Sequence, residues 1–205
     1  TGHTADDQAE TVLQRILRGT GPYGLCGIFP VRGSRVRPLL CASRKEIRAY
    51  LSETGIKYRD DWSNNDTTFF RNRLRHKLIP YLRTDFSPNI TDGILRLADL
   101  SREQESYLNK QTEEAYKACC IHADSYKILL DKLLFIGYHK VLQQRIVRQC
   151  LEILEGAGRD TDMSEVENIL HHIGERGKAI NVTEKIILEI LETKRSSYHE
   201  KLLFG

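Results

Sequence analysis

Thr1-Gly2-His3-Thr4-Ala5-Asp6-Asp7-Gln8-Ala9-Glu10-Thr11 opens the chain, and its reading decides what the remaining residues can be. The pattern is that of a strand-to-helix corner. Gly2 permits a tight turn. Thr4 and Asp7 are spaced as a capping box, in which each side chain satisfies an amide of the first helical turn. Ala9, Val12, Leu13, Ile16 and Leu17 then recur at the spacing of one buried helix face. Gly19 supplies a stop, so a helix is predicted over residues 5–18. Asp6 and Asp7 fall in its first turn and Glu10 one turn later. Beside His3, these three carboxylates suit a hard cation held through oxygen ligands. They also suit the positive end of the helix dipole, which on spacing alone is the commoner reason for acids there.

Outward from this corner comes a loop with four glycines in nine residues, Gly19 to Gly27, flanked by Arg15 and Arg18. Its amides can approach a phosphate, or it is simply an open surface loop. Residues 31–40 read as extended, and Arg32, Arg35 and Arg37 are candidates for phosphate contact. Ser43 and Glu46 form a second capping box, starting a helix that turns Ile47, Tyr50 and Leu51 inward and ends near Gly55. A short strand is predicted at Ile56–Tyr58, followed by Asp, Ser and Asn turn chemistry through Asp66. Phe69-Phe-Arg-Asn-Arg-Leu-Arg-His-Lys77 comes next. Four Lys or Arg and one His within seven residues make a concentrated positive patch, in which Arg71 and Arg75 share a helix face. Such a patch binds polyanions by counterion release, or is a solvated face. Pro80 is expected to end that helix.

The second part reads as scaffold. Ser87-Pro88 restarts a helix that runs from about residue 89 to 119, with Ile94, Leu97, Ala98, Ser101, Leu108, Ala115 and Tyr116 inward. A weak strand is expected at 125–130 and an amphipathic helix within 134–155. Ser164 and Glu167 cap a shorter helix reaching about Ile173. His171 and His172 diverge by about 100° on it and make no chelating pair. From Lys178 the period becomes two, giving a hairpin around Thr183-Glu184 and a third strand near 197–204. The polar turn between Pro80 and Pro88 is the expected seam, dividing residues 1–79 from 80–205.

Composition narrows the class. The chain has 205 residues and a net charge of +3, and no apolar run long enough for a membrane span. Five cysteines, an odd number and without a C-x-x-C, read as reduced cytoplasmic thiols rather than a disulfide or metal framework. The chain opens without Met and in mid-motif, which predicts a piece of a longer protein.

Three separated motifs carry a family resemblance. They are G-H-T-A-D-D-Q-A-E-T at 2–11 with R-G-T-G at 18–21, R-P-L-L at 37–40, and D-W-S-N…R-N-R-L-R at 61–75. Their order and spacing resemble the tRNA(Ile)-lysidine synthetases, a branch of the PP-loop ATP pyrophosphatases, over about residues 2–82. The resemblance implies a mainly helical chain with an α/β remnant. Residues 1–79 would be the second half of an adenine-nucleotide-hydrolase-like α/β domain. Residues 80–205 would be a helical tRNA-specificity domain closed by a small sheet.

The resemblance also implies the chemistry. ATP, with Mg²⁺, adenylates the wobble cytidine of tRNA(Ile) with a CAU anticodon, and the amine of L-lysine displaces AMP to leave lysidine. Asp7 and Glu10 would act on ATP–Mg²⁺ and the activated base, with His3 and Asp6 lining the same site. Arg18, Arg37, Arg71, Asn72 and Arg75 would face the tRNA. The family's S-G-G-x-D-S loop has no counterpart here, so the isolated chain is expected to be inactive. A half domain would expose apolar surface, and self-association as a homodimer is the expected cover. Two other readings stand beside it: a tRNA-thiolating PP-loop enzyme, which the missing cysteine pair disfavours, and a non-catalytic tRNA-binding module.

Overall fold

Thr4 starts the first helix as the motif requires. In the computed structural model its amide and hydroxyl both donate to Asp7 Oδ2 at 2.8 Å, and the Asp7 amide returns a bond to Thr4 Oγ1. Helix α1 (Ala5–Arg18) follows and ends at Gly19, whose φ of +78° is one that L residues avoid. The structure describes residues 1–59, 66–124, 126–156 and 162–173, and the backbone at 180–181, 187–192 and 200–204.

The apolar face of α1 is buried only in part. Ala9 and Val12 pack on Ile94 and Ala98, but Ile16 and Leu17 are 44% and 56% exposed, against the expectation that all would turn inward. Polar Gln8 and Glu10 are buried instead. The glycine-rich loop explains why. After the short helix α2 (Pro22–Leu25), the chain folds back over the first half of α1. Gln8 Nε2 donates to Cys26 O and its Oε1 accepts from Ile28 N–H. Arg15 Nη1 donates to the carbonyls of Gly24 and Gly27, both at 2.9 Å. Gly27 has φ +63°, and a Cβ there would lie 2.6 Å from the Gln8 amide, so no larger residue fits. The loop is thus tied down through its carbonyls.

Residues 31–40 form a minimal hairpin, β1 (Val31–Arg32) and β2 (Arg35–Val36), and then a 3₁₀ turn over Pro38–Cys41. The second capping box is present: the Ser43 amide and hydroxyl donate to Glu46 Oε2 at 2.8 and 2.7 Å, opening helix α3 (Arg44–Glu53). Its Tyr50, predicted to point inward, is 62% exposed. The strand predicted at Ile56–Tyr58 is absent, because no neighbouring segment pairs with it among the described residues. The turn chemistry at 60–65 lies outside the described residues.

Pro80 does not end the basic helix. Helix α4 (Phe70–Arg73) runs into a π-helical turn at Leu74–Leu78 and on into helix α5 (Ile79–Asp85). The Ile79 amide bonds the Leu74 carbonyl, five residues back. This wider turn re-registers the backbone ahead of Pro80, whose missing N–H and ring would otherwise interrupt the ladder. Helix α6 (Ile90–Cys119) then runs for 30 residues, with Leu97, expected inward, 40% exposed.

The chain divides into two compact units, Thr1–Ser106 and Tyr107–Gly205, so the turn at 79–88 lies inside the first. Among the described residues of the first unit the only strands are β1 and β2. In the second, strands β3 (Cys120–Ala123) and β4 (Ile128–Asp131) form a hairpin. The helix expected within 134–155 is α8 (Lys140–Glu155), started by His139, which accepts from the Val141 amide; a short helix α7 (Lys132–Gly137) precedes it across the extended Tyr138. Helix α9 (Met163–Ile173) is capped by Asp162, which accepts from the Ser164 amide, rather than by Ser164. Strands β5 (Ile180–Asn181), β6 (Ile187–Glu192) and β7 (Glu200–Phe204) complete the expected terminal sheet. It is antiparallel throughout, in the order β3-β4-β7-β6-β5, with Leu130 opposite Leu202 and Ile180 opposite Leu188. Among the described residues, Cys119, Ile128, Leu130, Phe135, Ile146, Val147, Cys150, Leu151 and Val166 form this unit's fully buried core. Among the described residues no helix is long and apolar enough to cross a membrane.

Candidate functional site: an acid pair under three arginines

Asp7 and Glu10 stand three residues apart on α1, so both project from one side of the helix. Three guanidinium groups converge on them from two other elements. Arg44, the first residue of α3, reaches Asp7 Oδ1 with Nη2 and Glu10 Oε1 with Nη1. Arg71 donates Nε to Glu10 Oε2 at 2.8 Å and Nη2 to Asp7 Oδ1 at 3.0 Å. Arg75 donates Nε to Glu10 Oε1 at 2.7 Å and Nη2 to Oε2 at 3.0 Å. Glu10 is only 1% exposed, whereas the Arg71 side chain remains 40% exposed. Three guanidinium groups against two carboxylates leave the cluster with one positive charge, open toward solvent on its arginine side. Beside it lies a pocket of about 400 Å³ lined by Gly2, His3, Asp7, Arg71, Asn72 and Arg75.

The electrostatics follow from this geometry. Burial alone would raise the Asp7 carboxyl, but the Thr4 amide and hydroxyl, then Arg44 and Arg71, outweigh it and hold the group below its ordinary value. Burial likewise opposes ionisation of Glu10, and its bonds to Arg75 and Arg71 with the nearby Arg44 charge again win. Both acids are therefore firmly ionised at neutral pH, and both are weak bases.

Every carboxylate oxygen of the pair already accepts a bond from Thr4 or a guanidinium. A Mg²⁺ ligand needs a free lone pair, and a dication beside three guanidinium groups is repelled. In this arrangement the pair does not fit Mg²⁺. Among the described residues no trio of His, Cys, Asp or Glu is disposed to hold a metal.

The other predicted residues are placed as follows. Asp6 Oδ2 accepts from the Arg44 amide at 2.7 Å, so it holds the start of α3 against α1. His3 lines the pocket and its Nδ1 lies 3.0 Å from Thr1 Oγ1. Asn72 is buried and donates to the Asp66 carbonyl at 2.8 Å. Arg18 lies in the last turn of α1 against the Phe70 ring, away from the acid pair. Arg37 is built into the hairpin, donating Nη1 to Phe29 O at 2.7 Å and its amide to Pro30 O. Arg44 was not among the predicted site residues. Its signal was the second capping box, which fixes the backbone immediately before it.

The PP-loop domain family matches residues 1–82. A tRNA(Ile)-lysidine synthase of Caldanaerobacter subterraneus subsp. tengcongensis is 35% identical over 170 residues, which is 82% of this chain and 36% of that protein. One of Clostridium tetani is 34% identical over 186 residues, 90% of this chain and 39% of that protein. One of Geobacter sulfurreducens is 46% identical over 117 residues, 56% and 25% of the two chains. The chain thus spans 25 to 39% of the length of these three relatives.

Proposed function

Because the chain belongs to the PP-loop family and is homologous over most of its length to the tRNA(Ile)-lysidine synthases, we propose that it is part of an ATP-dependent tRNA-modifying ligase. The reaction is the joining of L-lysine to the wobble cytidine of tRNA(Ile) with a CAU anticodon, through an adenylated cytidine. In this reading residues 1–79 are the C-terminal part of the nucleotide-binding domain and residues 80–205 the tRNA-specificity domain. The protein works in the cytoplasm, with ATP and tRNA as its partners.

The observation that carries the reading is the arginine fan over the buried acid pair. Adenylation passes through a phosphoryl transition state with charge spread over its oxygens, and fixed cations stabilise that charge without reorganising. Asp7 and Glu10 supply the fixing: they are held ionised and lock Arg44, Arg71 and Arg75 in place. Lysine must attack as the neutral amine. Asp7 and Glu10, held ionised by their arginines, are poor acceptors for its proton, and His3 lines the same pocket.

The test is lysine incorporation into a CAU-anticodon tRNA(Ile) transcript by the intact protein. Arg71→Ala and Arg75→Ala should each slow incorporation about 100-fold or more, the usual cost of one transition-state donor. Incorporation at the wild-type rate in both variants, or without ATP, would remove the arginine fan from the mechanism.

A further inference from the structure

Around Phe70, on the helix that delivers Arg71 and Arg75, stands a second group of side chains outside the acid pair. The Arg18 guanidinium carbon stands 5.6 Å from the centroid of the Phe70 ring, and that of Arg73 stands 5.4 Å from it. One ring thus holds two cations, brought from the end of α1 and from α4. Arg73 is fixed further by donating Nη1 to the Thr68 carbonyl at 3.0 Å. Both arginines are exposed, and so is the neighbouring Phe69, at 60%. Like charges held near each other repel, and an anion relieves the repulsion. Phe69, next to Phe70 in the chain, leaves most of its ring open to solvent.

This geometry points to a platform for an unpaired RNA nucleotide, with its phosphate between Arg18 and Arg73 and its base stacked on Phe69. A polyanion alone would need only the arginines. The added ring matters only to a strand whose base faces are free, because a duplex buries those faces in its own stack. Phe69 and Asn72 are three residues apart, about 4.5 Å along a helix axis. The platform is thus carried by the same short helix as Arg71 and Asn72, which line the pocket. The inference rests on the tRNA reading above, and gives that substrate a second point of contact.

The experiment measures affinity of the intact protein for two probes: the CAU anticodon stem-loop of tRNA(Ile), and a blunt RNA duplex of equal length. Phe69→Ala should weaken stem-loop binding roughly 5- to 150-fold, the range for one base–aromatic stack, and leave duplex binding unchanged. Phe69→Trp should retain it. Arg18→Gln with Arg73→Gln should weaken both probes and flatten the salt dependence. Phe69 is exposed, so an unchanged melting temperature is expected and checks the fold of each variant. Equal losses for stem-loop and duplex, or no loss in Phe69→Ala, overturns the platform. If Phe69→Ala binds and turns over as wild type while Arg75→Ala loses lysine transfer, the platform alone falls. If the wild-type protein binds neither probe, the functional reading falls with it.

Discussion

Glu10 is the residue on which the site turns. It is almost fully buried and accepts from all three arginines. A buried acid whose partners are removed is costly, and so are partners whose acid is removed. Glu10→Gln keeps the shape and removes the charge. Because the arginines stay partly exposed, the expected loss is about 1–3 kcal/mol at pH 7, below the full cost of breaking a buried pair. The pH dependence gives the same charge a sign. Both acids titrate below their ordinary values when folded, so the unfolded chain binds more protons as pH falls through the usual carboxylate range, around 4. Their contribution is complete above that range and is lost as pH falls toward the folded values. Urea melts between pH 3 and 7 should show stability falling on acidification, less steeply in Glu10→Gln than in the wild type. Equal slopes would show that Glu10 is not held ionised by its partners. The sequence exposed the acids and both Arg71 and Arg75, since motif spacing names residues. It did not expose their pairing, because residues 61 to 65 positions apart meet only through the tertiary fold.

At the scale of elements, two capping boxes do most of the positioning. The first fixes Asp7 and the start of α1, and the second fixes the residue before Arg44. Both were legible from four-residue spacings, because a cap is a local interaction. Ser43→Ala should cost about 1 kcal/mol of stability, as N-cap deletions do. It should also lower the rate of lysine transfer, because it loosens the turn that aims Arg44, and Ser43→Thr should restore both. A loss of stability with full activity would mean that Arg44 is aimed by Asp6 alone. What was not legible follows from partners distant in the chain. Ile16, Leu17 and Tyr50 sit at inward spacings, yet no described element covers them. Pro80 reads as a helix stop, yet the π-helical turn before it lets the helix continue. The amphipathic helix expected within 134–155 is α8, but the short helix α7 before it, ending at Gly137, was not separated from it.

Across these 205 residues the net charge is only +3, so placement of charge matters more than amount. Arg71 and Arg75 are partly neutralised by the acids beneath them, whereas Arg18 and Arg73 stand over a neutral ring. The salt dependence of tRNA binding should record the difference. Removing Arg18 and Arg73 should reduce the slope of log affinity against log salt by about 1 to 2, and removing Arg71 and Arg75 by about 1 or less. The reverse order would show that the acid pair releases its arginines to the RNA. The mainly helical character and the terminal sheet were readable from the change of period near residue 178. Incorporation of the β3–β4 hairpin into that sheet was not, since the pairing of β4 with β7 joins segments some seventy residues apart.

The most direct test of the central claim separates adenylation from lysine transfer. The intact protein is mixed with CAU-anticodon tRNA(Ile) and ATP labelled at the α-phosphate, with lysine left out, and label on the tRNA is measured. The arginine fan predicts label on the tRNA with the wild-type protein and about 100-fold slower labelling with the Arg71→Ala, Arg75→Ala double variant at saturating tRNA. Labelling at the wild-type rate by that variant would contradict the claim that these arginines, held by Asp7 and Glu10, serve the phosphoryl step.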